Sequence, residues 1–182
     1  MKKEINSNNE KLVDKVFEIL TKFRDNSQKV ENIFTELFEN DFKVQLNEIN
    51  KVKNGLLKGL IISVKDLFDV KGYHTRGGTK FLNPDVSLSD AECISNIRKA
   101  GGLLLGHTNM TELAYSGLGI NPHYGTPDNP FYPGSVPGGS TSGGAVSVAL
   151  DLSDIAIGTD TAPPDVDPPG TAPGYKGLSG VP

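Results

Sequence analysis

Residues 137–144 read Pro-Gly-Gly-Ser-Thr-Ser-Gly-Gly, and a run of small apolar residues continues them as far as Leu150. Four glycines bracket two hydroxyl side chains, Ser140 and Ser142, and glycine permits backbone conformations and close approaches that other residues do not. Such a loop points N–H groups and hydroxyls at whatever lies over it. The apolar run predicts a buried helix, and Ile-Ala-Ile at 155–157 predicts a short buried strand after it. We therefore expect a functional loop that leads into a helix and then a strand.

Three other interpretations of this stretch are weaker. A phosphate-binding P-loop requires a lysine after its glycines, and none follows here. The hydrolase elbow Gly-x-Ser-x-Gly also fails, because Thr141 stands where its serine would lie between Gly139 and Gly143. A flexible glycine-serine linker fits the composition, but a linker does not need the dense apolar run that follows at once.

The chain upstream predicts alternating strands and helices. Residues 60–64 are rich in β-branched residues and form a buried strand that ends at Lys65. Residues 90–100 predict a helix, and the three leucines at 103–105 predict the next strand. This order indicates an α/β fold, with a mixed sheet core flanked by helices and with an N-terminal helical segment. A short helix at 109–115 and a long loop at 117–136, which would line a substrate entrance, complete the prediction.

Four segments of the sequence together resemble the amidase signature family. The loop at 137–145 and the Gly-Thr-Asp-Thr at 158–161 resemble the family's glycine- and serine-rich hallmark, which continues as Gly-Thr-Asp-x-Gly-Gly-Ser. Residues 59–66, Gly-Leu-Ile-Ile-Ser-Val-Lys-Asp, resemble its lysine-bearing strand, and residues 106–113, Gly-His-Thr-Asn-Met-Thr-Glu-Leu, resemble its Gly-x-Thr-Asn segment. The resemblance spans residues 55–161 and implies a hydrolase that cleaves carboxamide bonds with a Ser-Ser-Lys triad.

The resemblance also assigns roles to residues of this chain. Lys65 would be the general base, which requires a buried lysine that is neutral near pH 7, and Ser140 would relay the proton of the nucleophile. It implies no metal and no cofactor. The supporting positions would be Ser142 and Asp160 in the loop and Thr161 and Ala162 in the oxyanion region. The substrate stays open among simple carboxamides, ureido acids and the glutaminyl amide used in tRNA-dependent amidation.

The tail departs from the family pattern. The family's nucleophilic serine would lie three residues after Thr161, where this chain has Pro164, and Ala162 and Pro163 replace the two glycines before it. Proline has no N–H group to stabilise an oxyanion. We therefore expect the chain as written to be inactive. A non-catalytic binding or assembly module that retains the amidase fold is the alternative.

Two parts of the chain differ in composition. Residues before position 60 are rich in charged side chains, whereas 19 of the 21 glycines and all 12 prolines follow it. Glycine and proline are typical of loops, so the second part is expected to contain more of them. We predict a helical N-terminal segment at 1–54 that packs on the core, and a partial amidase-signature core at 55–182 with an atypical proline-rich tail from 162. Within the first part, two amphipathic helices are predicted. One spans 12–23 with Val13, Val16, Phe17 and Leu20 on its apolar face, which Leu12, Ile19 and Phe23 widen. The other spans 30–38 with Val30, Ile33, Phe34, Leu37 and Phe38. A partner-binding helical pair is the alternative to core packing.

Charge and composition argue against several function classes. The net charge of −4 and the absence of a basic stripe give no reason to expect direct nucleic-acid binding. No apolar run approaches a membrane span or a signal peptide, so a cytoplasmic location is expected. Cys93 is the single cysteine and is predicted to pack in a helix, while the three histidines are too scattered for a metal site. The expected partners are a small-molecule amide substrate and either a second copy of the chain or a missing C-terminal half of a truncated domain.

Overall fold

The computed structural model describes residues 7–24 and 32–159, with the side chains of the first helix described at 11–22. The predictions on Val30 and on all positions from Asp160 onward, which include Thr161, Ala162 and Pro164, lie outside these ranges. The regular elements, in chain order, are α1 (Ser7–Arg24), β1 (Phe34–Leu37), a 3₁₀ turn (Glu39–Asp41), α2 (Phe42–Lys51), β2 (Ile61–Lys65), α3 (Glu92–Lys99), β3 (Leu103–Thr108), a second 3₁₀ turn (Glu112–Ala114), α4 (Ser142–Ala149) and β4 (Ile155–Ile157).

The described strands form one mixed sheet in the order β1-β3-β2-β4. β2 is parallel to both β3 and β4, and β1 is antiparallel to β3. Every residue of β2 and β3 is buried, as expected of parallel strands covered on both faces. The predicted α/β class with a mixed sheet flanked by helices is therefore confirmed. Lys65 pairs with Thr108 and Val64 with Ile157, so the residues after all three strands meet at one edge of the sheet.

The first amphipathic helix is present, but its buried face is narrower than predicted. The residues that face the core are Leu12, Val16, Ile19 and Leu20. Their spacing of three and four residues follows one stripe of the helix surface. Phe17 lies one position outside this stripe and is 64% exposed, so its predicted core position is wrong.

The second predicted helix, at 30–38, is wrong. Residues 34–37 form β1, which pairs with the edge of β3, and this pairing satisfies backbone groups that a helix would satisfy internally. On either side of the strand, Asn109 N donates to Ile33 O at 2.8 Å and Phe38 N donates to Leu105 O at 3.0 Å. The apolar residues therefore mark a strand between two buried anchors, Ile33 and Phe38, and the helix comes afterwards as α2.

The remaining elements follow the prediction with local differences. α3 buries Ile94 and Ile97 but leaves Cys93 exposed, so the predicted packing role of the cysteine is wrong. The predicted helix at 109–115 is reduced to a 3₁₀ turn in which Leu113 has φ +50°. The segment at 117–136 has no helix or strand, as expected. Within the described ranges, no helix is both long and apolar enough to cross a membrane.

Candidate active site

Lys65 and Ser140 lie in direct contact at the carboxyl edge of the sheet. Lys65 is the last residue of β2 and is completely buried. Its Nζ donates to Ser140 Oγ at 2.5 Å and to Thr159 Oγ1 at 2.7 Å. This is the position expected for Lys65, beside the glycine-rich loop and away from solvent. The contact makes proton exchange between the amine and the Ser140 hydroxyl geometrically direct.

Thr159 is a site residue that the sequence prediction did not name. It follows β4 and offers Lys65 both its hydroxyl and, at 3.4 Å, its carbonyl oxygen. The signal was present in the sequence, since Thr159 belongs to the same Gly-Thr-Asp segment as Asp160. Asp160, Thr161 and Ala162 lie outside the described residues, so their predicted roles stay predictions.

The loop that carries Ser140 is held by the segment after β3. Thr111 N donates to Ser140 O at 2.9 Å, and Gly139 N donates to Gly117 O at 2.8 Å. The Gly139–Ser140 peptide bond is cis, and Gly138 has φ +81°, a conformation that favours glycine. The hydrogen bonds of Thr111 and Gly117 hold the loop where the Ser140 hydroxyl reaches Lys65 Nζ.

Asn109, the first residue after β3, makes several hydrogen bonds beside the site. The sequence analysis did not name it as a site residue. Its side-chain Nδ2 donates to Asn32 O and to Gly125 O, each at 2.8 Å, and its Oδ1 accepts from Met110 N. Its carbonyl accepts from Gly143 N at 2.9 Å. One asparagine thus joins β3, the long loop and the first turn of α4, which explains the Thr-Asn in the sequence segment at 106–113.

Ser142 has a different environment from Ser140. It is the first residue of α4 and is completely buried. Its hydroxyl has no hydrogen-bond partner among the described residues, so no hydrogen bond accompanies the supporting role predicted for Ser142 in this part of the chain. Ser140, and not Ser142, makes the contact with Lys65.

Three buried serines tie together the elements that carry the site. Ser63 of β2, Ser147 of α4 and Ser153 before β4 form a ring of hydroxyl contacts at 2.9, 2.9 and 3.1 Å. Each hydroxyl finds partners inside the core, as buried polar groups require. Since β2 bears Lys65 and β4 leads to Thr159, the ring fixes the strands whose ends meet at the site.

A second buried polar pair lies next to the lysine. Asp66 and His107 are both completely buried, with His107 Nδ1 3.7 Å from Asp66 Oδ1. Burial raises the pKa of Asp66, although hydrogen bonds from the N–H groups of Arg76 and Gly78 and the charge of His107 oppose the rise. Burial lowers the pKa of His107, and the nearby Asp66 opposes that shift. The described residues contain no group of three or more histidine, cysteine, aspartate or glutamate side chains arranged to hold a metal ion.

Comparisons with known proteins identify the family to which this sequence is similar. The family model described as Amidase matches residues 15–163. The chain is 49% identical over 111 residues to Amidase 1 of Arabidopsis thaliana, a match that covers 58% of this chain and 25% of that protein. It is 39% identical over 136 residues to a glutamyl-tRNA(Gln) amidotransferase subunit of Methanococcus maripaludis, covering 75% of this chain and 30% of that protein.

A solved structure supports the same relationship. The native peptide amidase from Stenotrophomonas maltophilia superposes with a TM-score of 0.67 and 26% sequence identity, over 84% of this chain and 32% of that one. The chain therefore spans between a quarter and a third of the length of these relatives. The family match covers most of the sequence. The chain belongs to the amidase family.

Proposed function

We propose that this chain carries the base and the relay of an amide hydrolase with a Ser-Ser-Lys mechanism, and that the chain as written lacks the nucleophile. The contact between Lys65 Nζ and Ser140 Oγ at 2.5 Å is the observation that carries the proposal. A buried lysine that meets two hydroxyls in hydrogen-bonding distance is suited to moving a proton. The carboxyl edge of the parallel strands is also where α/β sheets bind their ligands.

The proton path follows from the order of the groups. With a serine at position 164, its Oγ would attack the amide carbonyl carbon while its proton passed to Ser140 Oγ and the Ser140 proton passed to neutral Lys65. The protonated Lys65 would return the proton through Ser140 to the leaving nitrogen as the C–N bond broke. Water would then hydrolyse the acyl-serine by the same route in reverse. The net reaction adds one water to the amide and releases a carboxylate and an amine.

The chain as written has two defects in this scheme. Pro164 has no hydroxyl, and neither Pro163 nor Pro164 has an N–H to donate to a developing oxyanion. Loss of one oxyanion donor costs a factor of about 10² to 10³ in rate, and loss of the nucleophile costs more. We therefore expect no covalent turnover of carboxamides.

The experiment compares the chain with a repaired version. Ala162→Gly, Pro163→Gly and Pro164→Ser are introduced together, and the chain is joined to the downstream part of the matched Arabidopsis thaliana amidase. Ammonia release from small carboxamides and labelling by a fluorophosphonate are measured on both. Activity of the repaired protein alone supports the proposal, whereas turnover by the original chain with labelling at Ser140 contradicts it.

Within the repaired protein, Ser140 and Ser142 form a matched pair of test positions. Ser140→Ala should lower kcat by a factor of about 10² or more, because the relay is needed in the transition state. Ser142→Ala should lower it far less, since that hydroxyl makes no contact with Lys65 among the described residues. Equal losses would refute the assignment of the relay.

A non-catalytic binding or assembly module is the second candidate, and exposed apolar side chains at residues 115–132 favour it. Tyr115 is 93% exposed, and Leu118 and Tyr132 are more than half exposed. Apolar side chains that are grouped on one segment commonly mark a surface that another chain covers. If the repaired protein is also inactive but the original chain forms a stable homodimer or captures the downstream half, this candidate replaces the first.

A further inference from the structure

Asp66 holds three consecutive N–H groups of one turn. Its carboxylate accepts from Arg76 N at 3.0 Å and from Gly78 N at 3.3 Å, and its carbonyl accepts from Gly77 N at 2.7 Å. Gly77 and Gly78 have φ +63° and +69°, conformations that let successive N–H groups converge on one acceptor. The turn at 76–78 is therefore shaped around the residue that follows Lys65.

The same turn supports the segment after β3. Gly77 O accepts from Leu113 N at 2.8 Å, and Gly78 O accepts from Asn121 Nδ2 at 2.7 Å. The Asn121 amide also donates to Met110 O at 2.7 Å. A Cβ at position 78 would lie 2.9 Å from Met110 Cγ, so the turn and this segment are in close contact.

This segment is the one that holds the Ser140 loop. Thr111 N donates to Ser140 O at 2.9 Å, one residue after Met110 and two before Leu113. A series of hydrogen bonds, linked by short stretches of backbone, thus runs from Asp66, through the turn at 76–78 and the segment at 110–113, to the backbone of Ser140. It reaches Ser140 independently of the direct contact with Lys65.

The Asp66 carboxylate and the His107 ring require a shared proton. His107 Nε2 lies 3.0 Å from Phe68 O, and because a carbonyl only accepts, Nε2 carries a hydrogen. His107 Nδ1 has no hydrogen-bond partner among the described residues and lies 3.7 Å from Asp66 Oδ1. Without a second proton, a buried lone pair would face a buried negative charge, which is costly in a low-dielectric interior. One additional proton, carried by either group, removes this repulsion; it is shared in the sense that it neutralises the pair, since 3.7 Å is too long for a hydrogen bond between the two atoms.

The neighbouring charged groups do not neutralise the Asp66 carboxylate in place of this proton. On β1, Glu36 is paired with Arg76 at 2.8 Å and lies 3.5 Å from His74 Nδ1. Asp69, on the loop after β2, is exposed and accepts hydrogen bonds from two hydroxyls. Because Arg76 is already matched by Glu36, the Asp66–His107 pair is most stable when it is neutral as a unit.

We propose that Asp66 is a positioning residue for Ser140: with one proton shared between Asp66 and His107, its carboxylate holds the turn at 76–78, and that turn holds the segment at 110–113 against the Ser140 loop. The role of Ser140 rests on the proposed function. The shared proton and the hydrogen-bond series are properties of the folded chain and can be tested without turnover.

The first test uses the unmodified chain with ¹⁵N-labelled histidine. The ring nitrogens of His107 should keep constant chemical shifts from about pH 5 to about pH 8, because gaining or losing a proton would leave a buried net charge. A His107 ring that titrates near its ordinary pKa of about 6.5 would overturn the shared proton.

The second test measures amide hydrogen exchange in Asp66→Asn, with Asp69→Asn as the matched control. The asparagine amide group presents N–H hydrogens where the carboxylate accepted two N–H groups, so exchange at Gly78 and Thr111 should rise about tenfold or more. Amides of β3 at 103–105 should change less than about twofold, as should the amides of Gly78 and Thr111 in Asp69→Asn. A uniform rise over the chain, or none at Thr111, would overturn the positioning role.

Gly78→Ala keeps the test decisive if Asp66→Asn does not fold. The added Cβ would lie 2.9 Å from Met110 Cγ at a positive φ and must push the turn away from Met110, but the Asp66 and His107 side chains themselves are unchanged. It should raise exchange at Thr111 while leaving the His107 ring shifts unchanged. Unchanged exchange at Thr111 in this variant also contradicts the proposal. If the repaired protein shows no amidase activity but the exchange and NMR results are as expected, the proposed activity is wrong while Asp66 still positions the Ser140 loop.

Discussion

Replacing Gly143 or Gly144 by alanine gives two variants of the same helix that should differ clearly in stability. Both residues lie in the first turn of α4, where alanine is favoured over glycine by about 1 kcal/mol in helix propensity. A Cβ at 143 would lie 2.7 Å from Asn109 N and 2.8 Å from Asn109 O, and closer still to Ile33 O. A Cβ at 144 would meet mainly side chains, with Thr141 Cγ2 at 2.7 Å.

The expected magnitude follows from what must move. Heavy atoms pack at about 3.5–4.0 Å, so in Gly143→Ala the start of α4 must retreat from Asn109 by about 1 Å. That strain costs about 1–3 kcal/mol, and it weakens the hydrogen bonds from Gly143 N to Asn109 O and from Asn109 N to Ile33 O, each contributing about 1 kcal/mol. After the propensity gain, Gly143→Ala should destabilise the chain by about 2–4 kcal/mol. Gly144→Ala should change its stability by less than about 1 kcal/mol, because the Thr141 side chain can rotate away.

Urea denaturation followed by circular dichroism measures both variants against the wild type, and the difference between them removes the propensity effect. We expect Gly143→Ala to be the less stable variant by about 2 kcal/mol or more, which corresponds to about 4 °C or more in Tm for a chain of this size. Equal stabilities, or a more stable Gly143→Ala, would show that α4 does not approach the backbone of Asn109 as closely as argued.

Three further predictions concern other parts of the chain. Gln45→Leu should destabilise the fold by about 2–3 kcal/mol in urea denaturation, because the buried amide satisfies both Leu104 N at 2.8 Å and Leu104 O at 3.0 Å; no loss of stability would contradict this. Burial by itself raises the pKa of Glu36, but the hydrogen bond and charge of Arg76 outweigh it and hold that pKa below its ordinary value. The wild type should therefore be more stable than Glu36→Gln at pH 7, and the advantage should disappear as the pH falls from about 4.5 through the folded-state pKa; an advantage that grows on acidification would refute the pairing. Cys93 is exposed, so the native chain should react with one equivalent of a thiol reagent at nearly the rate of the unfolded chain, and a strongly protected thiol would contradict its position on α3.

The elements nearest the site were predicted well because their signals are local. The β-branched run before Lys65 and the leucines at 103–105 are long enough and apolar enough to read as buried strands. The glycine-rich loop followed by small apolar residues likewise predicts α4 and β4. The chemistry of the loop, with a hydroxyl at Ser140 between glycines, is visible in the sequence as well.

The errors arose where a local pattern had two solutions. The apolar residues at 33–38 fit one face of a helix, but the free edge of β3 offers backbone partners that make a strand more favourable. Phe17 and Cys93 lie one helical position away from buried neighbours, and only the packing partners decide which side of the helix is covered. Periodicity does not contain that information.

The sequence by itself determined the α/β class, the family and the residue types at the site, because these depend on local patterns and on the side-chain chemistry of short segments. Tertiary structure alone decided that Lys65, Ser140 and Thr159 meet, although Lys65 lies 75 residues from Ser140 and 94 from Thr159 in the chain. Their contact depends on the register of β2 between β3 and β4, which places the ends of three strands at one edge. Tertiary structure also decided that the Asp66 carboxylate accepts hydrogen bonds from the N–H groups of Arg76 and Gly78. The sequence does not reveal these partners, because they depend on how separate backbone segments pack around the carboxylate.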